Sequence, residues 1–207
     1  MIKGYYFVTD SALSRAGNIS DVKSALASGV KVVQYREKSK PGNAMYNEAL
    51  LLRKLCERVI FLVNDRVDIA IGSGADGVHL GREDIPYEAA RRMLGEDKII
   101  GLTARTFKEA VEAQGLGADY IGVGPVFGSR TKPEAGEPVG TGLIKKIKEN
   151  LSIPVIAIGG IGLLNAKEAV MAGADGICAV SAVVTKPDVR SEIRKFQELF
   201  GLKGQAL

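Results

Sequence analysis

The chain has few of the residues that form covalent cross-links and metal clusters. Only two cysteines, Cys56 and Cys178, and one histidine, His79, occur among its 207 residues. The cysteines lie far apart in apolar stretches, which predicts packing residues in a reduced cytosolic protein without disulfides or a cysteine-ligated metal. The histidine stands at the end of an apolar strand pattern, and we interpret it as a buried, satisfied side chain with no chemical role.

Long apolar runs and long runs of like charge are also missing. No stretch reaches membrane-spanning length, and the first residues lead into a strand pattern instead of a signal peptide, so we expect a cytoplasmic protein without membrane contact. The formal net charge of +4 is mild, which favours small anionic ligands over nucleic acid. Oligomeric state is left open, and a homo-oligomer is compatible with the sequence.

Several catalytic fingerprints are absent as well. The sequence contains no Ser-His-Asp set, metalloprotease helix, Walker loop or nucleotide-fold glycine fingerprint. The sequence contains 46% hydrophobic and 25% charged residues, and its length suits one domain with a well-buried core. No linker divides it, so we predict a single catalytic domain over residues 1–207.

A glycine followed by an apolar strand pattern recurs four times. The glycines at positions 29, 74, 117 and 173 lie 45, 43 and 56 residues apart. Each interval equals about two β-α units, at roughly 25 residues per unit of a small barrel. These glycines therefore precede the even-numbered strands, and apolar runs at 5–9, 59–63, 99–102 and 155–158 supply the odd-numbered ones.

Helical patterns separate these eight strands. They cover residues 21–28, 44–57, 67–71, 86–94, 106–114, 142–149, 165–172 and 189–200. Thr106 with Glu109 predicts a capping box at the start of the fifth. Strict β-α alternation of strands that are apolar throughout requires a parallel sheet, and we predict an α/β fold, a closed (β/α)8 TIM barrel. An open doubly wound sheet is the alternative, because periodicity does not report closure.

The ends of strands 7 and 8 are nearly free of side chains. Gly159 and Gly160 follow strand 7, and Ser181 begins a helix directly after strand 8. Glycine lets the backbone approach a ligand closely, and unpaired N–H groups at a helix start attract anions. Barrels commonly bind phosphate here. We predict a phosphate cup, with ordinary strand-to-helix turns as the alternative.

Two cations and an amide follow strand 2. Strand alternation sends Gln34, Arg36 and Lys38 to one side and Tyr35 and Glu37 to the other. A guanidinium and an ammonium at the barrel mouth, meaning the loops at the C-terminal ends of the strands, suit a diphosphate. The alternative is a solvated charged loop or a structural ion pair of Glu37.

Two carboxylates end the neighbouring strands 3 and 4. Asp65 follows Asn64, and Asp84 follows His79 after a short loop. Adjacent strand ends would bring the carboxylates close enough to share a cation, and without a His/Cys cluster that cation is a hard ion such as Mg²⁺. The natural ligand of such a site is a diphosphate that the metal ion bridges to the protein. Outside a barrel, both would be turn or cap residues.

One long connection, residues 128–140, follows strand 6. Its length and its donors Ser129, Thr131 and Lys132 predict a functional lid over phosphate oxygens. With the carboxylate pair and the glycine cup, it indicates two phosphorylated small-molecule substrates.

Six motifs, taken in order, resemble the thiamine phosphate synthase family across nearly the whole chain. They are residues 34–38, 64–66, 77–81 with Asp84, 122–127 with 131–132, 157–161 and 180–182. Each motif is weak alone, but their succession is specific. The resemblance implies a barrel that joins hydroxymethylpyrimidine diphosphate to a thiazole phosphate, carboxylated or decarboxylated. It also implies Mg²⁺ dependence and a dissociative release of pyrophosphate.

The resemblance also implies roles for individual residues. The pyrimidine diphosphate would be held by Gln34, Tyr35, Arg36, Glu37, Lys38, Asn64, Thr103 and Lys132. The thiazole phosphate would be held by Ser129, Arg130, Thr131, Gly160, Val180 and Ser181. Asp65 and Asp84 would bind Mg²⁺, and the catalytic residues would be Arg36, Lys38 and Lys132.

Arg105 departs from the family pattern, because many relatives carry histidine at that position. Related thiazole tautomerases are expected to use this histidine for proton transfer, which an arginine that stays protonated cannot perform. Together with the retained Asn64 and Asp65, this favours the synthase. The alternatives are a tautomerase-like paralogue, a non-catalytic barrel that binds a phosphorylated metabolite, and a phosphoribosyl or indole phosphate barrel, whose acid and base carboxylates are missing.

Overall fold

A computed structural model describes residues 2–128 and 136–202, in which strands and helices alternate. The strands are β1 (Gly4–Val8), β2 (Val32–Tyr35), β3 (Ile60–Asn64), β4 (Gly77–Leu80), β5 (Ile99–Ala104), β6 (Tyr120–Val123), β7 (Val155–Ile158) and β8 (Gly176–Cys178). The helices are α1 (Asn18–Ala27), α2 (Gly42–Leu55), α3 (Val67–Ser73), α4 (Tyr87–Leu94), α5 (Phe107–Leu116), α6 (Gly140–Asn150), α7 (Ala166–Met171), α8 (Ser181–Val184) and α9 (Val189–Leu202).

The sheet is a closed barrel in which the strands pair in chain order, β1 to β8, and every pairing is parallel. Closure comes from β8 against β1, where Gly4 pairs with Gly176 and Tyr5 with Ile177. The predicted (β/α)8 barrel is therefore confirmed, and the open doubly wound sheet is wrong.

The strands are mostly apolar because both of their faces are buried. The outward faces and the inner sides of the helices form one large cluster, which includes Phe7, Val33 and Phe61. The inward faces fill the barrel with a second cluster: Ile2, Tyr6, Val8, Val32, Leu62, Tyr120, Ile156 and Cys178. Both cysteines are buried and free, as predicted.

Helix starts and ends follow local signals. Thr106 and Glu109 form the predicted capping box at the start of α5. Gly74 and Gly117 end α3 and α5 with left-handed φ angles of 67° and 86°, a conformation that glycine adopts without steric penalty. The first helix begins at Asn18, three residues before the predicted start, because Gly17 sits before it with φ 85°. In the described ranges, no helix is both long and apolar enough to cross a membrane.

Candidate active site

Three inward residues, one near the end of β2 and two just after it, each have a defined partner. The Gln34 amide nitrogen donates to the Tyr6 hydroxyl at 2.8 Å inside the barrel. The Arg36 guanidinium donates to the Asp10 carboxylate at 2.6 Å. The Lys38 ammonium donates to the Asp65 carboxylate. All three partners lie on or just after the two strands beside β2, because β2 pairs with β1 and with β3.

Tyr35 and Glu37 make contacts separate from those of the three inward side chains, and Tyr35 faces α2. The Tyr35 hydroxyl donates to Glu48 of α2 at 2.7 Å, and the Glu37 carboxylate accepts from the Ser39 backbone N–H at 2.9 Å. Burial opposes ionisation of Glu37, but hydrogen bonds from Ser11 and Ser39 and the charge of Lys40 outweigh it and lower its pKa to about 2. Neither side chain joins the three inward ones: Tyr35 contacts α2, and Glu37 contacts the loops that follow β1 and β2.

The carboxylates of Asp65 and Asp84 lie within hydrogen-bonding reach of each other, because β3 and β4 are neighbours in the barrel. Burial, and after it the adjacent Asp65 carboxylate, raise the pKa of Asp84, against a lowering hydrogen bond from the Gly81 N–H at 2.6 Å. Asp65 has a left-handed backbone with φ 62°, a conformation that is uncommon outside glycine but that Asp and Asn adopt more readily than other residues.

This pair suits a hard divalent cation with few protein ligands. Its donors are carboxylate oxygens, and a bound cation would offset the burial and the neighbouring Asp65 carboxylate that raise the pKa of Asp84. Across residues 2–128 and 136–202, no group of three or more His, Cys, Asp or Glu side chains gathers in a metal-binding arrangement. Mg²⁺ typically uses one or two carboxylates and completes its shell with water and phosphate oxygens, so the residues present fit it.

Asn64 and Thr103 occupy the inward-facing ends of β3 and β5. Asn64 is the last residue of β3 and pairs in register with His79 of β4. The Thr103 hydroxyl lies 3.0 Å from Nε2 of the same histidine. Both side chains are half-buried at the mouth, on either side of β4.

Gly159 and Gly160 have structural reasons to be glycine. Their φ angles are 84° and 66°, in the left-handed region. A Cβ at Gly160 would lie 2.5 Å from the carbonyl oxygens of Phe127 and Gly128, and one at Gly159 would lie 2.6 Å from Pro125. Close packing of the β7 end against the β6 end therefore explains both glycines. Ser181 starts α8 directly after Val180, so the predicted helix start is confirmed.

The long connection after β6 is described only at its two ends. Ser129, Arg130, Thr131 and Lys132 lie outside the described residues. At the far end, the Arg105 guanidinium contacts Gly136 and donates to the Glu137 carbonyl at 3.3 Å. Arg105 thus contacts the segment that was predicted to act as a lid.

Sequence reasoning missed Asp10 and the two tyrosines of the barrel interior. Asp10 lies just after β1, is only 7% exposed, and binds Arg36. The rule that functional side chains follow the strands, applied to β1, would have found it. Tyr6 and Tyr120 are inward positions by alternation, but only barrel closure shows that their hydroxyls meet at 2.7 Å.

The closed parallel barrel, with paired carboxylates beside Lys38 at the C-terminal ends of its strands, places the protein in the class of (β/α)8-barrel proteins whose side chains for chemistry lie on that face. Within that class, the profile of a family described as thiamine monophosphate synthase matches residues 5–183. The chain belongs to this family.

Similar proteins agree with this placement. The thiamine-phosphate synthase of Methanosarcina barkeri is 49% identical over 196 residues, which are 94% of this chain and 89% of the relative. The one from Methanosarcina mazei is 47% identical over 196 residues, 94% of this chain and 82% of the relative. A solved structure of thiamine phosphate pyrophosphorylase from Pyrococcus furiosus is 38% identical and superposes with a TM-score of 0.89, covering 97% of this chain and 96% of that one.

Proposed function

We propose that the protein transfers a pyrimidinylmethyl group. Its substrates are 4-amino-2-methyl-5-hydroxymethylpyrimidine diphosphate and 4-methyl-5-(2-phosphoethyl)thiazole or the carboxylated form of that thiazole. The products are thiamine phosphate and pyrophosphate. The observation that carries this proposal is the carboxylate pair of Asp65 and Asp84 with the Lys38 ammonium against it, because that set suits a metal-bridged diphosphate.

The reaction exchanges one bond for another. The bond between the pyrimidinylmethyl carbon and the diphosphate oxygen breaks, and its electron pair leaves with pyrophosphate. The thiazole nitrogen then donates its lone pair to the resulting cation and forms the C–N bond. No strong base takes part, so the demands on the protein are to stabilise the departing charge and to exclude water.

Arg36, Lys38 and Lys132 are the proposed catalytic residues because they offer positive charge to the leaving pyrophosphate. Mg²⁺, held by Asp65 and Asp84, would add Lewis-acid stabilisation of the same oxygens. Asp10 holds the Arg36 guanidinium at 2.6 Å, so the side chain is oriented before substrate arrives. The Lys38 ammonium contacts Asp65, so it would lie beside phosphate oxygens bound at a metal on the carboxylate pair.

Gln34, Asn64 and Thr103 would complete the pyrimidine diphosphate site with their side chains. Tyr35 and Glu37 would take part through backbone groups, because their side chains contact Glu48 and Ser39. The thiazole phosphate would lie at the other side of the mouth. Its proposed ligands are Ser129, Arg130, Thr131, Gly160, Val180 and Ser181.

We place this activity in the cytoplasm, without a nucleic-acid or membrane partner, and a homo-oligomer is compatible with it. Two buried free thiols are typical of a reducing compartment.

Arg105 supports the synthase over a tautomerase, because its guanidinium donates to the Glu137 carbonyl and stays protonated.

The test is to follow pyrophosphate release with the purified protein, each substrate and Mg²⁺. Release is expected only when both substrates and the ion are present, together with formation of thiamine phosphate. Full activity after chelation would contradict the metal assignment. Release of pyrophosphate at the same rate without the thiazole would show a hydrolase instead.

A further inference from the structure

A chain of hydrogen bonds crosses the inside of the barrel from β2 to β5. The Gln34 amide nitrogen donates to the Tyr6 hydroxyl at 2.8 Å, and the Tyr6 and Tyr120 hydroxyls are 2.7 Å apart. The Tyr120 hydroxyl lies 3.0 Å from His79 Nδ1, and His79 Nε2 lies 3.0 Å from the Thr103 hydroxyl. The chain therefore joins two residues of the proposed pyrimidine site through three residues that have no role in it so far.

Inward-facing glycines make room for its rings. The Tyr120 ring occupies the space that a Cβ at Gly101 would need, and a Cβ at Gly122 would lie 3.0 Å from His79 Cε1. The Tyr120 ring packs against Tyr6 and His79 with centroids 5.8 and 5.5 Å apart. These contacts hold the rings in one arrangement, so the hydrogen bonds do not depend on mobile side chains.

The direction of donation follows from the donors available. Gln34 Nε2 is a donor only, so the Tyr6 oxygen accepts, and its own hydrogen needs an acceptor in an interior where Tyr6 is 3% exposed. Among the residues that the structure describes, the partner at hand is the Tyr120 oxygen. Burial raises the pKa of both phenols, so both hydroxyls keep their protons.

The same reasoning defines which ring nitrogen of His79 carries hydrogen. The Tyr120 hydroxyl, having accepted from Tyr6, donates to Nδ1, which must therefore be unprotonated. The hydrogen of a neutral imidazole then sits on Nε2 and is donated to the Thr103 oxygen. Thr103 is left with its hydroxyl hydrogen to offer at the mouth. Gln34, anchored through its nitrogen, keeps its carbonyl oxygen as an acceptor.

We propose that this chain sets the hydrogen-bonding polarity of the mouth, with Tyr6, Tyr120 and His79 acting as positioning residues. It presents a hydrogen-bond donor at Thr103 and an acceptor at Gln34. This pair suits a ring in which a nitrogen acceptor stands next to an amino group, since the Thr103 hydroxyl can donate to the ring nitrogen and the Gln34 carbonyl can accept from the amino group. This inference rests on the proposed function and deepens it, because it assigns selectivity for an aminopyrimidine to residues behind the binding surface.

The first test uses the fact that His79 is the sole histidine in the sequence of the protein. With ¹⁵N-labelled histidine, long-range ¹H–¹⁵N spectra near neutral pH report one imidazole without mutagenesis. The expected result is the neutral tautomer with hydrogen on Nε2. An imidazolium, or the tautomer with hydrogen on Nδ1, would overturn the proposed direction.

The second test compares Tyr120→Phe with Tyr5→Phe as a matched control. Both tyrosines are buried and hydrogen-bonded. The Tyr5 hydroxyl, however, donates to the Ala179 carbonyl at 2.8 Å and takes no part in the chain of hydrogen bonds. Tyr120→Phe should raise KM for the pyrimidine diphosphate about tenfold, the effect of one buried hydrogen bond. The preference over an analogue without the amino group should fall by a similar factor. Tyr5→Phe should change neither quantity.

Further readouts separate the two proposals. Binding of inorganic pyrophosphate with Mg²⁺ should be unchanged in Tyr120→Phe, since the metal side of the mouth is intact. His79→Gln, which retains a donor and an acceptor, should recover more selectivity than His79→Leu. Equal selectivity in Tyr120→Phe and wild type would refute the positioning role.

If the wild-type protein neither binds the pyrimidine diphosphate nor releases pyrophosphate, the proposed function fails. The histidine spectrum still decides the direction in which the hydrogen bonds are donated.

Discussion

The carboxylates of Asp65 and Asp84 lie close enough to share a hydrogen bond, although each follows a different strand. Their approach follows from the register of two neighbours, since Asn64 pairs with His79 across β3 and β4. The consequence is a local concentration of negative charge that only the Lys38 ammonium contacts directly among the described cations. This relationship leads to the first two predictions.

Removing one of these carboxylates should impair turnover far more than folding. Asp65→Asn keeps the shape of the side chain but loses a ligand charge, so kcat should fall at least about a hundredfold, and the Mg²⁺ concentration for half-maximal rate should rise. Glu83→Gln, an exposed charge change beside Asp84, is the control and should retain wild-type kinetics. An Asp65→Asn enzyme whose rate loss only matches a loss of melting temperature would contradict the metal role.

The raised pKa of Asp84 predicts a pH-dependent stability difference. A carboxyl whose folded pKa lies above its unfolded value, about 3.9, stabilises the fold below that value and loses this contribution as pH rises through the folded pKa. Without Mg²⁺ at neutral pH, Asp84→Asn should therefore melt above wild type. The difference should vanish as the pH falls below about 4. Thermal melts across pH, with and without Mg²⁺, measure it, and Mg²⁺ should stabilise wild type selectively.

Asp10 should act through Arg36. Its carboxylate is buried and accepts from the guanidinium at 2.6 Å, so Asp10→Ala leaves a partly buried cation without its partner. We expect kcat/KM for the pyrimidine diphosphate to fall about tenfold, and the melting temperature to fall by about 2–4 °C. Asp68→Ala removes a surface partner of Arg66 and should change neither. Wild-type kinetics in Asp10→Ala would show that Arg36 needs no such support.

Gly160 should be intolerant of a side chain. At φ 66°, a Cβ would meet the Phe127 and Gly128 carbonyl oxygens at 2.5 Å, so Gly160→Ala strains the backbone by about 1–2 kcal/mol and displaces the β6 end. KM for the thiazole phosphate should rise several-fold, while binding of the pyrimidine diphosphate is preserved. Gly162→Ala is the control because a Cβ there meets open space. An unchanged KM in Gly160→Ala would remove Gly160 from the phosphate cup.

Much of the site could be predicted because barrel architecture turns sequence position into spatial position. A residue shortly after a strand lies at the mouth, so the sequence predicts that Arg36, Asp65 and Asp84 lie near one another, and the structure places Asp65 and Asp84 side by side. His79 was correctly placed as buried, but its bridging position between Tyr120 and Thr103 was not foreseen. That position depends on which side chains project into the same layer of the interior, a relation between strands.

The sequence alone determined the eight alternating units and their parallel pairing. These features are encoded in local periodicity and in glycines such as Gly74 and Gly117 that end helices in a left-handed conformation. Tertiary structure alone decided that Arg36 is held by Asp10 and that a polar chain joins Gln34 to Thr103. The Arg36–Asp10 pair requires β1 and β2 to lie side by side. The Tyr6–Tyr120 contact within the polar chain requires β8 to close on β1, with the stagger of the strands setting which side chains meet.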